Sequence, residues 1–432
     1  MMETVSHSTD ILNVTERDVH DDSIVALESY PFSPIVGTNL NTPGQITIRI
    51  ENLDAFFYPR KSWIEIEGSI KKDADKSEFS ATDKITLANN AIMHLFDNIR
   101  YELGGQVIES LYNPGQCSTI LGLAKYNCNT KSKGMNFCWL PDTDTTIEND
   151  GWKKRHAWTS TADKVGDFRF SIDLDHIFGF AEDYDKVIFG LSHNLTLVNK
   201  GNSDDALVKI ESAAKGSIIL SKVRWFMPKV TPNLDVRNHF VTLMEKDQEL
   251  DCSFRQRQCL SVSIPIAIQK FTWRLGVRTG IERPRYIFIC FQTARSGSQN
   301  KNASIFDDLD VRNMYVLLNE VRFPSIDFYS SFKAHRFDHV YKNFVEFSQK
   351  YYGFDSLISA PDITPSQFKD MYSIFVFDAS KQEDRLIHSV VDMRVEIQFA
   401  TPLTASTTAF AVVLSDRKLK LKIAGKKMAV AY

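Results

Sequence analysis

The sequence lacks paired cysteines. Six cysteines are scattered over 432 residues, and no two of them form a C-x-x-C pair. This spacing suits neither a disulfide framework nor a zinc site, because both are built from cysteines that recur at short, regular intervals. We therefore expect six free thiols, at Cys117, Cys128, Cys138, Cys252, Cys259 and Cys290.

Long apolar runs are also missing. No segment reaches the roughly 18 uninterrupted apolar residues that a membrane-spanning helix requires. Residues 1–22 are acidic and polar and lack the apolar centre of a signal peptide. The net charge of -3 gives no overall electrostatic reason to bind nucleic acid, so any such contact must be local. These absences predict a protein that is soluble and intracellular when made, without a membrane span.

Motifs of enzymes and cofactor sites are absent as well. The only Gly-Lys pair, Gly425-Lys426, has no glycine five residues before it, which excludes a P-loop. His335 and His339 are four residues apart but lack the glutamate of an H-E-x-x-H metal site. Residues 142–151 begin like a calcium loop and then lack its glycine and glutamate, so we expect a polar surface loop. With no G-x-S-x-G motif either, the sequence predicts no enzyme, no catalytic residue, no cofactor and no metal.

Alternating apolar residues dominate what is present. Ile46, Ile48 and Ile50 alternate with polar residues, which is typical of a half-buried strand. The Gly104-Gly105 pair between two further alternating segments predicts a tight hairpin. Later strand candidates include residues 248–254, 260–264, 409–414 and 418–423. Helical periodicity is confined to residues 117–126, 234–246 and 337–352.

The strand pattern stops once and then restarts. Two prolines end a strand in the segment W-F-M-P-K-V-T-P at residues 225–232, since a proline lacks the amide that a central ladder needs. About eight strands lie on each side, which is the number in a jelly roll. The sequence thus predicts an all-β fold of two tandem eight-stranded jelly-roll sandwiches with short inserted helices. The expected divisions are a flexible N-terminal arm (1–35), a first jelly roll (36–235), a second jelly roll (236–425) and a basic C-terminal tail (426–432).

Several segments resemble one protein family in the same order along the chain. They are N-N-x-x-x-x-L-F at residues 89–96 followed by the glycine hairpin, the strand exit at residues 221–233, the segments 315–324 and 372–378, and I-Q-F-A-T-P at residues 397–402. Together they resemble the double jelly-roll major capsid proteins of polintons, adintoviruses and related small DNA viruses, distant relatives of adenovirus hexon. The likeness covers residues 40–425.

This resemblance implies a structural, non-enzymatic role. A capsid protein of this kind forms homotrimers, which are pseudo-hexagonal capsomers of an icosahedral shell. The implied partners are further copies of the chain, a penton or minor capsid protein, and packaged DNA at the inner surface. The implied location is the virion, after synthesis in the host cytoplasm and with the nucleus as one assembly site. The alternative is a non-enzymatic β-sandwich module that binds a ligand, as a lectin does.

Two sets of residues are candidates for contacts. The C-terminal lysines alternate with apolar residues, so they form either an edge strand protected from pairing or a surface that faces packaged DNA. These candidate DNA-facing residues are Lys418, Lys420, Lys422, Lys426 and Lys427. Aromatic residues in long loops are candidate trimer contacts, or else they cap the sandwich ends. They are Phe328, Tyr329, Phe332, Tyr351 and Tyr352.

Overall fold

Period-two alternation produces strands throughout the chain, as the burial of their side chains shows. In the computed structural model, which describes residues 23–52, 54–245, 249–276, 283–353, 360–381, 392–424 and 427–431, Ile46, Ile48 and Ile50 all point into a core. The strands of the first half are β1 (Ile24–Phe32), β2 (Gly44–Ile50), β3 (Phe56–Phe57), β4 (Trp63–Lys72), β5 (Phe79–Ser80), β6 (Ile85–Leu87), β7 (Phe96–Leu103), β8 (Gln106–Tyr112), β9 (Lys164–Val165), β10 (Asp167–Asp173), β11 (Ile188–Phe189), β12 (His193–Asn199), β13 (Leu207–Lys209) and β14 (Gly216–Pro232).

The second half repeats the pattern with fewer short strands. Its strands are β15 (Glu249–Ile264), β16 (Lys270–Leu275), β17 (Arg283–Thr293), β18 (Val311–Leu318), β19 (Val321–Phe323), β20 (Phe375–Asp378), β21 (Met393–Phe399), β22 (Thr407–Ala424) and β23 (Lys427–Ala431). Helices lie between strands in both halves. They are α1 (Pro114–Lys125), α2 (Lys131–Gly134), α3 (Asp150–Thr159), α4 (Leu174–Ile177), α5 (Gly179–Asp183), α6 (Leu234–Glu245), α7 (Asp338–Tyr352) and α8 (Pro365–Met371).

Each half is a sandwich of two antiparallel sheets. In the first, a six-stranded sheet has the order β10-β4-β14-β3-β11, with β1 attached to β14, and it faces the four-stranded sheet β2-β12-β7-β8. In the second, the sheet β15-β22-β17-β20, with β23 attached to β22, faces β16-β21-β18-β19. No ladder among the described residues joins a strand before residue 233 to one after residue 249. The all-β prediction of two tandem jelly rolls with short inserted helices is therefore confirmed.

Local predictions are confirmed where the signal is strong. Gly104 and Gly105 have φ of +56° and +82° and join β7 to β8. Helix α7 buries Val340, Phe344 and Phe347 on the face that its periodicity predicts. The expected free thiols are also confirmed, with Cys128 exposed and the other five buried.

Several expectations are wrong. The predicted N-terminal arm contains a strand, because residues 24–32 pair with β14, while residues 1–22 lie outside the described residues. The predicted C-terminal tail contains β23, which pairs with the end of β22. The candidates 248–254 and 260–264 belong to the single strand β15, and 409–414 and 418–423 belong to β22. In both places a ladder with a long neighbouring strand continues across the polar residues that had suggested a break.

Helices α3 and α8 were not predicted. The boundary near residue 235 stays a prediction, and α6 begins one residue before it.

Candidate assembly surfaces and the junction between the sandwiches

A buried carboxylate on the last strand of the first four-stranded sheet joins the two sandwiches. Glu109 on β8 is fully buried, and its Oε1 accepts hydrogen bonds from the backbone N–H of Arg257 at 2.8 Å and of Gly179 at 3.2 Å. Its Oε2 accepts from the N–H of Phe180 at 2.9 Å. Burial raises the pKa of Glu109 to about 7, against the opposing effect of Arg257 and the three N–H groups. One side chain thus holds the first turn of α5 and strand β15 together.

Arg257 crosses the junction in the opposite direction. Its guanidinium donates to the carbonyls of His176 at 2.7 Å and Asp175 at 2.8 Å, and to Glu182 at 2.6 Å. Glu182 also accepts from Lys125 at 2.7 Å. Burial alone would raise the pKa of Glu182, but Lys125 and Arg257 outweigh it and hold that pKa well below its ordinary value. The carboxylate is therefore ionised between two buried cations.

The end of helix α7 completes this group of charges. The hydroxyl of Tyr351 donates to Glu182 at 2.8 Å, and that of Tyr352 donates to the other oxygen at 2.5 Å. Arg255 donates to Asp183 at 2.9 Å, and its guanidinium lies 3.5 Å from the centre of the Tyr351 ring. Since Asp183 and Glu182 follow each other at the end of α5, a single turn of the first sandwich receives both arginines of β15.

A second polar contact between the sandwiches involves Asp142. Asp142 is buried and accepts from Arg155 at 2.8 Å and from Asn302 at 2.6 Å. The hydroxyl of Tyr372 donates to the backbone carbonyl of Asp142 at 2.8 Å. Nearby, Gln299 both accepts from and donates to the backbone of Gly216, at 2.9 and 2.7 Å. The expectation of a polar surface loop is wrong for Asp142, because Arg155 on α3 satisfies its charge inside the protein.

A cavity of about 330 Å³ lies beside the first group, between α1, α4 and the end of α7. Lys125, Tyr126, His176, Glu182 and Arg257 line one side of it. Burial lowers the pKa of His176 to about 3, so this imidazole is neutral, and it bonds Tyr126 at 2.7 Å. Among the described residues, no three His, Cys, Asp or Glu side chains are placed to hold a metal ion. Within that same part of the chain, no helix is long and apolar enough to cross a membrane.

The C-terminal lysines lie on β22 opposite acidic residues of β15. Lys418, Lys420 and Lys422 are exposed, and Leu419 and Leu421 between them are buried. Glu249 accepts from Lys420 at 2.6 Å and forms an ion pair with Lys422 at 2.8 Å. The two lysines hold the pKa of Glu249 down at about 2. The basic surface is therefore partly neutralised by its neighbour.

The other two basic candidates lie at the very end of the chain. Lys426 lies outside the described residues, and Lys427 begins β23. Whether any of the five lysines faces DNA stays a prediction.

The five aromatic candidates divide into two classes. Phe332 has no exposed surface, and Phe328 and Tyr351 are buried within the chain, so these three pack in its interior and are wrong as contacts with a neighbour. Tyr329 is 67% exposed and Tyr352 is 36% exposed. These two stay predicted trimer contacts, although Tyr352 already bonds Glu182 inside the chain. His335 and His339 are both exposed.

Sequence reasoning missed the junction residues. Arg255 and Arg257 lie in a segment with strand periodicity, and a charged residue at an inward position of a strand must find a buried partner. The inward strand position of Arg257 indicates that it needs a buried partner. The sequence does not indicate that this partner is Glu182, which lies 75 positions away in the chain and in a short helix.

Comparison with known proteins agrees with this architecture. Residues 85–419 match the family described as the double jelly roll-like domain. No curated protein matches the chain by sequence.

Solved structures show the same fold over nearly the whole chain. The structure of the Sputnik virophage has 11% identity and a TM-score of 0.63, covering 97% of this chain and 91% of that one. The Faustovirus major capsid protein has 7% identity and a TM-score of 0.56, covering 95% and 93%. The mavirus major capsid protein has 11% identity and a TM-score of 0.54, covering 100% and 96%. With 335 of its 432 residues matched, counted from 85 to 419 inclusive, this chain belongs to the double jelly roll-like domain family.

Proposed function

We propose that this chain is a viral major capsid protein that forms trimeric capsomers of an icosahedral shell. The observation that carries the proposal is the tandem pair of complete sandwiches locked together by buried polar contacts. Two similar units per chain and three chains per ring give six similar units, which is the shape needed for hexagonal tiling. Similarity in fold and length to capsid proteins such as those of mavirus and Faustovirus supports the same role.

The buried junction suits this role because a subunit of a regular shell must hold its two sandwiches in one fixed relative orientation. If the two sandwiches rotated against each other, the six units of a ring would not present constant edges to the neighbouring rings. Glu109, Arg257 and Asp142 each make a hydrogen bond across the junction, and all three are buried. Displacing the two sandwiches would leave these buried charges without partners, which is unfavourable in a low-dielectric interior.

The finer parts of the proposal concern lineage, partners and location. We infer a virus of the polinton and adintovirus type, a penton or minor capsid protein as partner, and a final location in the virion. Contact between the C-terminal lysines and packaged DNA belongs to the same proposal. The role is structural and involves no catalytic step.

The oligomeric state tests the proposal directly. Light scattering on the purified protein should give a mass of three times 49.3 kDa, and negative-stain images of the same fraction should show hexagonal outlines or closed shells. A monomer that persists at high protein concentration would contradict the proposal. That result would favour the alternative, a β-sandwich module that binds a ligand.

A further inference from the structure

Two buried histidines of the first sandwich hold helix α1 in place. The ring of His94 lies so close to Gly115, in the first turn of α1, that a methyl group there would overlap it. His176 bonds the side chain of Asn90 at 3.1 Å, and the amide group of Asn90 donates to Ser118 of α1 at 2.7 Å. Both histidines are buried. The position of α1 therefore depends on two imidazole rings.

Helix α1 also contacts the second sandwich. It packs against α7, β15 and β22. The ammonium group of Lys125, in the last turn of α1, lies 4.3 Å from the centre of the Tyr351 ring on α7 and bonds Glu182 at 2.7 Å. The thiol of Cys117 lies within hydrogen-bonding reach of the thiol of Cys259 on β15. A displacement of α1 would therefore disturb the junction between the sandwiches.

The hydrogen bonds of His176 fix its tautomer. Because the amide group of Asn90 donates to Ser118, the Oδ1 of Asn90 is the acceptor for His176, and the Nε2 of His176 carries the hydrogen. The Nδ1 of His176 must then accept from the hydroxyl of Tyr126, at 2.7 Å. A second proton on the ring would occupy Nδ1 and remove this bond. Protonation of His176 thus breaks a contact that the neutral ring makes.

The surroundings of His176 oppose a positive charge. Burial lowers the pKa of His176 to about 3, with Arg257 from β15 and Lys125 from α1 adding to the effect and Glu182 from α5 opposing it. The other charged groups that line the same cavity are Asp173, Asp175 and Lys133. Burial raises the pKa of both aspartates, so they lose their charge sooner in acid than exposed carboxyls do. An imidazolium at this position would be a third buried cation beside one ionised carboxylate.

The surroundings of His94 also favour a neutral ring. Neither of its ring nitrogens has a hydrogen-bond partner within the described part of the chain. Burial lowers the pKa of His94 to about 4, against the opposing effect of Asp205, and Lys200 adds to the lowering. Asp205 already accepts from Lys200 at 2.6 Å and from the N–H of Gly297, in the second sandwich, at 2.7 Å. A proton on His94 would compete for a carboxylate that bonds across the junction.

We propose that α1 is an acid-operated release between the two sandwiches. When the pH falls below about 6.5, where an exposed histidine takes up a proton, His94 and His176 become charged and α1 leaves its position. The open form is favoured in acid because its histidines are solvated and charge freely. The release is a property of one chain and does not depend on the proposed function. In a capsid, acid would loosen each subunit from within.

The direction and size of the effect follow from the two histidines. Their neutral rings stabilise the closed form fully above about pH 6.5, and this stability is lost as the pH falls toward about 4 for His94 and about 3 for His176. Each histidine should favour the open form about tenfold per pH unit over that range. Glu109 acts in the opposite direction between about pH 7 and 4.5, and His193 is a further buried neutral histidine. Variants that retain both of these residues cancel their effects.

The variant His94→Gln/His176→Gln tests this inference in the full-length protein. Glutamine keeps an amide donor and acceptor but takes up no proton. Between about pH 7.5 and about pH 5, the hydrogen-exchange protection factors of the α1 amides should fall roughly a hundred- to a thousandfold in the natural protein and little in the variant. His239→Gln/His339→Gln is the matched control, because both histidines are exposed and lie on helices, and it should behave like the natural protein.

Three results would overturn the inference. The first is an equal loss of α1 protection in the natural protein and the double variant. The second is full protection of the α1 amides in the natural protein at the lower pH. The third is an equal loss in α1 and in the sheet β16-β21-β18-β19, which shows that the chain unfolds as a whole. A loss in α1 that is confined to the natural protein and the control supports the inference.

The natural protein alone decides if the double variant fails to fold. A loss of protection in acid that is at least about tenfold larger in α1 than in the sheet β16-β21-β18-β19 supports the release, and a smaller difference overturns it. Light scattering at neutral pH tests the proposed function separately. A monomer with an acid-sensitive α1 would overturn the capsid proposal and leave this inference standing.

Discussion

The two sandwiches share a fold but contribute opposite chemistry to their junction. The first supplies the buried carboxylates, namely those of Glu109, Glu182, Asp183 and Asp142. The second supplies side-chain donors to these carboxylates and to a carbonyl, namely Arg255, Arg257, Asn302 and Tyr372. The pair of Gly216 and Gln299 is an exception, because there the N–H of the first sandwich donates to the second. The charged part of the junction is therefore a contact between unlike halves.

The two halves also differ in the chemistry of the strand ends that they expose. In each half a long strand, β14 with 17 residues or β22 with 18, carries an additional strand beside its C-terminal part. The additional strand of the first half, β1, exposes apolar side chains. The corresponding end of the second half exposes lysines paired with Glu249. One end thus exposes apolar side chains and the other exposes charged ones.

The largest expected effect comes from removing the central donor. Arg257→Ala removes one of the two buried cations beside Glu182 and the positive charge near Glu109, and it should lower the free energy of unfolding by about 3–5 kcal/mol. Urea denaturation measures it. The control is Arg274→Ala, which removes an exposed ion pair with Asp392 within the second sandwich and should change little. Equal losses in the two variants would contradict a special role for the junction.

The acceptor Glu109 should make stability depend on pH. Its pKa of about 7 in the folded protein lies above the 4.5 of an exposed carboxyl, so the folded state holds the proton more tightly. The stability from this group is full below about pH 4.5 and is lost as the pH rises to about 7, on the order of 3 kcal/mol in all. Glu109→Gln removes this dependence. As the pH rises from about 4.5 to about 7, the natural protein should lose stability and the variant should not. The amount by which the variant is less stable than the natural protein should therefore shrink over that range.

Denaturation curves at several pH values test that statement. At low pH the variant should be the less stable of the two, because its amide group turns N–H donors toward the N–H of Phe180. A stability difference that does not change with pH would show that Glu109 does not titrate in this range. Glu102→Gln, on the neighbouring strand and only half-buried, is the control.

A smaller effect is expected at the second polar contact. Tyr372→Phe removes the hydroxyl that donates to the carbonyl of Asp142 and should cost about 1–2 kcal/mol, since the fully buried carbonyl loses a partner. Thermal unfolding measures it. Tyr315→Phe on β18 is the comparison, because that ring is only half-buried and lies beside Arg322. Equal changes in the two variants would argue that the bond across the junction has no particular weight.

The smallest effect on stability is expected for the exposed lysines in the C-terminal part of β22. Replacing Lys418, Lys420 and Lys422 with glutamate puts like charges beside Glu249, but all of these groups are exposed and screened by water. Tm should fall by only a few degrees, and empty shells should still assemble. If the lysines face packaged DNA, the DNA content per shell should fall. Unchanged DNA content would contradict that role.

The fold was predictable because its signals are local. The isoleucines of β2, the glycine pair between β7 and β8, and the face of α7 each follow from periodicity or backbone freedom within a few residues. Strand β1 was missed because it has no buried face, so its residues carry no alternation to detect. Helix α3 was missed because its sequence lacks an apolar face and depends on the cap at Asn149 and on buried Arg155.

The junction was not predictable for a different reason. Its partners are distant in the sequence, as with Glu109 and Arg257, and several of the bonds go to backbone groups that leave no trace in residue identity. The aromatic candidates show the same limit. Phe332 and Tyr329 are three positions apart in one loop, yet one is fully buried and the other is exposed. Only the three-dimensional packing separates them.

The pairing of β1 has a consequence for synthesis. Ile24 is made roughly two hundred residues before its partner Pro232, which at about 5–20 residues per second is a delay of about 10–40 s. During that time β1 has no strand to join. It can take its place only when β14 has been made, so the first described strand in chain order is one of the last to join its sheet.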